Sequence, residues 1–261
     1  MKNHWTQSNE NIFVAAHRGW SEKYPEKTME AFRAAAEIGV DQIETDIRIT
    51  KDGELVLIHD AAVDRTTDGT GKVNEKTLAE IRALDAGSWK GEAFRGCRIP
   101  TLLEFMEYLK TLPHMTIDFE LKEYPVAGNE EIAYSACDRV LQLIDEYGFT
   151  DRCVVNTWSG KLLNYIHRKY GQKYRLHVYY PPSCMGEYEE EPYRFAYCSC
   201  MFRSNRQDYE WMKKRGVQPW AGASVKDSET VDAAIAMGAE LITCNNPDVI
   251  LQLLRERGRH A

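Results

Sequence analysis

Two carboxylates stand one residue apart in Glu44-Thr45-Asp46, near the end of the apolar run 40–47. The spacing returns, as an acid and a base, in Glu120-Leu121-Lys122 after Met115-Thr116-Ile117-Asp118-Phe119. Side chains at i and i+2 of a strand point to one face, so each run aims a charged pair the same way. Two histidines close other apolar runs, His17 after residues 12–16 and His59 after residues 55–58. If these run ends meet, Glu44, Asp46 and Glu120 bring three like charges together, which is unfavourable unless a cation offsets them. Oxygen-only donors select a hard cation, Mg²⁺ or Ca²⁺. His17 and His59 are the residue type that exchanges protons near neutral pH and read as an acid and base pair. Arg18 offers a planar fork suited to phosphate oxygens, and Lys122 a second cation that would stabilise charge shifting in a transition state. Trp220, at the end of Gly216-Val217-Gln218-Pro219, could form an apolar wall for an alcohol group. Trp158 and Tyr179-Tyr180 could line the same mouth, and His177 is a weaker candidate inside a strand-like run. His4, His114, His167 and His260 read as solvated.

The elements that must position these residues alternate. Strand-like runs lie near 12–16, 40–47, 54–58, 115–121, 153–157, 174–179, 198–202, 217–221 and 240–243. Helical patterns lie between them at 28–38, 129–147, 159–170, 227–237 and 246–254. Capping residues such as Ser159 open them, glycines such as Gly39 and Gly148 stop them, and Pro247 takes the first helical position of the last. The helix after 174–179 is the weakest pattern, because Pro181-Pro182 and the acidic run 187–191 interrupt it. Alternating strands and helices imply a mostly parallel sheet, and about eight such units in this length imply a closed (β/α)₈ barrel, one domain over 1–261. The glycine-rich fingerprint of a dinucleotide-binding open sheet is absent. Residues 60–100, rich in turn formers with a short helical pattern at 77–84, read as a small insertion after the strand carrying His59, too polar for core.

Composition limits the partners. The 261 residues are 43% hydrophobic and 28% charged, ordinary for a globular protein. A net charge of −7 argues against nucleic acid. The first ten residues are polar, without the apolar core of a signal peptide, and no stretch nears 18 consecutive apolar residues. A cytoplasmic protein without stable membrane insertion is expected. Seven scattered cysteines match neither a zinc site nor a disulfide framework and read as reduced thiols. Nothing in the pattern specifies an oligomeric state.

One ordered set of motifs carries more weight than any single piece. It runs His17-Arg18-Gly19, Tyr24-Pro25-Glu26-Lys27-Thr28, Ala31-Phe32, Ile43-Glu44-Thr45-Asp46-Ile47, Thr50-Lys51-Asp52-Gly53, His59-Asp60, Asp64-Arg65-Thr66-Thr67 and Gly69-Thr70-Gly71. The set resembles the glycerophosphodiester phosphodiesterase family. Ile99-Pro100-Thr101-Leu102, Glu120-Leu121-Lys122, Trp220 and Asn246-Pro247-Asp248 extend the resemblance across nearly the whole chain. It implies a (β/α)₈ barrel with a small insertion, and hydrolysis of glycerophosphodiesters, as small-molecule substrates, to sn-glycerol 3-phosphate and an alcohol. It also implies that Glu44, Asp46 and Glu120 are metal ligands, that His17 and His59 are the acid/base pair, and that Arg18 and Lys122 bind phosphate. The chain departs from the family's usual Pro-Glu-Asn-Thr at Pro25-Glu26-Lys27-Thr28, from its usual eighth-strand end at Thr243-Cys244-Asn245-Asn246-Pro247, and after Trp220. These departures lie outside the matched catalytic set and point to substrate preference rather than chemistry. Two other readings are a phospholipase-like enzyme, which calls for an apolar or basic docking run that the sequence lacks, and a binding barrel, which calls for a lost catalytic residue.

Overall fold

The computed structural model describes residues 11–187, the backbone of 197–200, and residues 205–261. Among these, eight parallel strands form a closed ring: β1 (Phe13–His17), β2 (Gln42–Ile49), β4 (Thr116–Leu121), β5 (Cys153–Asn156), β6 (Leu176–Tyr180), β7 (Tyr197–Cys200), β8 (Gln218–Ala221) and β9 (Leu241–Cys244). Each pairs with the next, and β9 pairs with β1 to close the barrel. A ninth strand, β3 (Leu55–Leu57), lies antiparallel on β2 outside the ring.

Strand periodicity divides the residues between two cores. Val14, Ile43, Ile47, Ile117, Phe119, Val155, Val178 and Ile242 belong to the large core between the ring and its helices. Their neighbours Phe13, Ala15, Val154, Trp220 and Leu241 form a separate apolar plug inside the barrel. Glu44 is level with His17, two residues past the plug residue Ala15, and pairs with Asp118, which is level with the plug residue Val154; Asp46 and Glu120 lie two residues further toward the C-terminal ends on the same face. The barrel is therefore sealed with apolar side chains below and carries its charges above, at the end where barrel active sites sit.

The helices follow the expected patterns closely. α1 (Met29–Glu37) starts at Thr28, whose hydroxyl accepts from the Ala31 N–H and donates to the Pro25 carbonyl at 2.8 Å. α4 (Glu130–Glu146) buries Ala133, Ala136, Cys137, Val140, Leu141 and Ile144 at helical spacing. α5 (Gly160–Tyr170) is capped by Ser159, α7 (Ser228–Met237) by Asp227, and α8 (Pro247–Glu256) begins with its proline. α2 (Leu78–Ala83) carries a capping box from Thr77 and Glu80. Two helices go beyond the patterns read from sequence: α3 (Leu102–Lys110), with its own capping box, and α6 (Arg206–Lys214), which buries only Tyr209 and Met212 and so lacks a strong periodic signal. After β6 comes one short 3-10 turn at Pro182–Met185, and most of the acidic run at 187–191 falls outside the described residues.

The segment between β2 and α3 departs from expectation in two ways. The run bearing His59 is not a barrel strand. A tight turn, closed by the Thr50 N–H on the Glu54 carbonyl at 2.8 Å, reverses the chain, and a run that returns at once can pair only antiparallel. The insertion thus begins with β3, and His59 lies two residues beyond it. Nor is the insertion without a core. Val56, Ile58, Val63, Val73, Ile81, Ala86 and Ile99 form a buried satellite cluster beside the barrel. Gly87 is obligatory there, since a Cβ would fall 1.8 Å from the Phe94 carbonyl oxygen. No helix of the described residues is long and apolar enough to cross a membrane.

Candidate active site

Register brings the charges together. Asp46 on β2 lies beside Glu120 on β4, and Glu44 beside both His17 on β1 and Asp118 on β4. Glu44, Asp46 and Glu120 are buried, each offering an oxygen within 4.8 Å of the others'. Such a cluster needs positive charge. Lys122, just beyond β4, sets its ammonium 2.5 Å from Glu120 and 3.1 Å from Asp46. Against burial, which would raise it, Lys27 first and Lys122 second hold the Asp46 carboxyl far below the usual carboxylate range. Glu120 goes the other way: burial, then the charge of Asp46, push it up to about 8 despite the ammonium beside it. Burial and the Asp46 charge together outweigh the ammonium of Lys122 there.

Lys27 is the residue that the sequence reading misplaced. Assigned to substrate preference as a departure in the Pro25-Glu26-Lys27-Thr28 motif, it lies in the carboxylate cluster itself. It is 3% exposed, with Nζ 2.5 Å from Asp46 and 3.2 Å from Glu44. A left-handed backbone at Lys27, φ 61°, turns it inward, and its N–H is held by the Arg18 carbonyl at 3.1 Å. Spacing could not show this, because Lys27 reaches the cluster from a loop and no strand period governs it.

The turn after β1 is left-handed at both Arg18 and Gly19. A Cβ on Gly19 would come 2.8 Å from the backbone of Ala31, so only glycine lets this turn pack on α1. The turn aims the Arg18 N–H at Glu44, 2.8 Å away, and sends the guanidinium to Glu26 at 2.9 Å with Asp46 at 3.9 Å.

Both expected histidines line one cavity of about 960 Å³, with Arg18, Glu44, Glu120 and Lys122. His17 Nδ1 lies 2.7 Å from the Asn245 side-chain oxygen, the geometry of a donated N–H, which leaves Nε2 4.0 Å from Glu44. His59 Nδ1 meets Asp60 at 2.6 Å. Asp60 accepts in turn from Arg65, which also grips Glu26 with two bonds of 2.8 and 2.9 Å. Burial is the largest influence on both histidines and pulls both below the ordinary histidine value. Asn245 appeared in sequence only as a departure at the eighth-strand end, and Asp60, Arg65 and Glu26 only as motif letters. Their roles depend on contacts between distant loops.

Trp220 is corrected. It has no exposed surface, belongs to the plug inside the barrel, and packs against the His177 ring with centroids 4.6 Å apart and planes tilted by 56°. On the β9 side it is level with Leu241 and, beyond it, Phe13 of the plug. The aromatic rings that do line the cavity include Trp158 and Tyr179, stacked 4.0 Å apart at 12°. His177 does face the cavity, but it is buried and bonded to Asp118 at 2.8 Å. His260, expected to be solvated, pairs with Asp41 at 2.9 Å.

Comparison with known proteins decides the class. A model of the glycerophosphoryl diester phosphodiesterase family matches residues 17–257. The chain belongs to this family. It is 36% identical to a glycerophosphodiester phosphodiesterase of Caldanaerobacter subterraneus, over 94% of this chain and 98% of that one. Among solved structures it resembles an Oleispira antarctica phosphodiesterase in complex with the product sn-glycerol-3-phosphate, with TM-score 0.79 and 26% identity over 94% of this chain and 97% of the other. It likewise resembles a glycerophosphodiester phosphodiesterase from Agrobacterium tumefaciens, with TM-score 0.76 and 25% identity over 92% and 98% of the two chains. As a member of the glycerophosphoryl diester phosphodiesterase family, the protein is a hydrolase of phosphoric diesters.

Proposed function

We propose that the protein hydrolyses small glycerophosphodiesters to sn-glycerol 3-phosphate and an alcohol, with a divalent cation and two histidines. The observation that carries this reading is the cluster of Glu44, Asp46 and Glu120, of which Glu44 and Glu120 line one cavity with His17 and His59, in a chain of this family. The donor set fits the cation. All three ligands are hard oxygens suited to Mg²⁺ or Ca²⁺, and both Asp46 oxygens, though buried and near lysines, lack a contact with hydrogen-bond angles. Glu44, Asp46 and Glu120 would hold the ion, which when bound polarises the phosphoryl oxygens and offsets their charge.

The remaining work falls to the chain's own groups. Arg18 and Lys122 bind the phosphodiester and stabilise charge as it shifts toward the leaving oxygen. His17, neutral because it is buried, takes a proton at Nε2 from the attacking oxygen. His59, its Nδ1 held by Asp60, delivers a proton to the departing alcohol. Trp158 and Tyr179 offer an apolar wall for the carbon skeleton. The free thiols of Cys97, Cys137, Cys153, Cys184 and Cys244 support a reducing, cytoplasmic setting.

The test is kcat/KM over diesters varied on each side of the phosphate, with and without chelator. Turnover of glycerophosphocholine or glycerophosphoethanolamine should far exceed that of a diester lacking glycerol. It should vanish on chelation and return with Mg²⁺ or Ca²⁺. Equal rates without glycerol, or full activity in stripped enzyme, would overturn the reading.

A further inference from the structure

We propose that Lys27 is a resident counter-ion of the carboxylate site, which keeps the site assembled without metal and weakens its hold on a divalent cation. The proposal rests on the metal-binding reading above and specifies how this chain tunes it. Glu44 and Asp46, two of the three carboxylates, already face the Lys27 ammonium, which meets both Glu44 oxygens at 3.2 and 3.3 Å and Asp46 at 2.5 Å. Lys122 faces Asp46 and Glu120. The two lysines therefore divide three buried carboxylates between them.

A cation entering this space meets two obstacles. The N–H groups of Lys27 engage lone pairs on Glu44 that the cation needs. The ammonium also repels a like charge across a few ångströms of buried space, where water screens poorly. Lys27 is not a surface lysine that can swing aside at no cost. It is buried, its backbone is held by Arg18, and it adopts φ 61°, a conformation that asparagine or glycine takes more readily than lysine. The structure thus places a positive charge where a neutral side chain would fit the backbone better.

The experiment compares wild type with Lys27→Asn and Lys27→Met. Asparagine suits the left-handed backbone, and methionine keeps much of the length without charge. Each protein is stripped with chelator and titrated with Mg²⁺ and with Ca²⁺ by calorimetry, and its melting temperature is read with chelator and with excess metal. Both variants should bind metal about tenfold more tightly or better. Chelator should lower their melting temperatures more than that of wild type, because Glu44 and Asp46 then lose the ammonium that faces both. Binding by a variant where wild type shows none supports the proposal in its strongest form. Equal affinity and equal sensitivity to chelator would overturn it while leaving the metal reading intact. No binding by any of the three, with turnover indifferent to chelator, would overturn both.

Discussion

Arg48 donates from Nε to the backbone carbonyl of His59 at 2.9 Å. Its Nη1 reaches the backbone carbonyl of Lys122 at 3.1 Å. One guanidinium near the end of β2 therefore holds the backbone of both His59, the proposed acid, and Lys122, the proposed phosphate ligand. His59 lies beyond β3, outside the ring, whereas Lys122, just past β4, is also tied to β2 by its N–H on the Ile47 carbonyl at 3.1 Å. Arg48→Ala should lower kcat by roughly 10–100-fold, the usual cost of losing a group that orients catalytic side chains. Arg48→Lys should recover only part, because an ammonium cannot span both carbonyls as a planar fork does. Near wild-type kcat in Arg48→Ala would show that the loops hold their places unaided.

His17→Ala and His59→Ala should each cut kcat by roughly 10²–10⁴-fold, the range of a general acid or base contribution. Metal affinity measured by calorimetry should change far less, because neither imidazole belongs to the carboxylate cluster. A variant that kept its turnover would lose its catalytic assignment.

Arg65 ties two carboxyls whose folded pKa values fall below their ordinary ones, against burial and chiefly through the Arg65 hydrogen bonds. Glu26 is lowered to about 2 and Asp60 to about 2. A depressed carboxyl stabilises the fold fully above its unfolded pKa and loses that contribution as pH falls through the folded one. Wild type should therefore melt above Arg65→Ala by the widest margin near neutral pH. The gap should narrow below pH of about 4.5 and close near pH 2. Thermal melts across that range check the sign, and a gap that stayed constant would contradict it.

Trp220→Ala should act on stability before catalysis. The indole is fully buried, with Nε1 donating to Gln218 at 3.0 Å, and its removal leaves a cavity beside His177. A loss of about 3–5 kcal/mol is the usual cost of such a truncation. Denaturant unfolding measures it. An unchanged midpoint with a raised KM would mean that substrate reaches the ring after all.

Much of this site was legible in sequence because it obeys a period. Glu44 with Asp46 and Glu120 with Lys122 each share a strand face by chemistry alone, and His17 follows from the end of β1. Legibility failed where loops take over. Trp220 occupies a barrel strand, but its height in the barrel depends on stagger between neighbours that no single run encodes. His59 was read as ending a barrel strand, when the turn before β3 sends it outside the ring. Arg48 with Lys122, His17 with Asn245 and Arg65 with Glu26 are pairs 74, 228 and 39 residues apart, and only the assembled barrel and its loops make them neighbours.

By itself, the sequence determined which groups exist and which share a face: the alternation that makes a parallel barrel, the acid–acid and acid–lysine pairs at strand ends, and the two histidines. Local periodicity suffices for these, because backbone geometry repeats every two residues in a strand. Tertiary structure alone decided which charges meet. It set Lys27 against Glu44 and Asp46, because the loop after β1 folds back over the barrel mouth and a left-handed residue turns its side chain inward. Coulomb interactions act through space and not along the chain, so the charge balance of the site could be read only once the loops were in place.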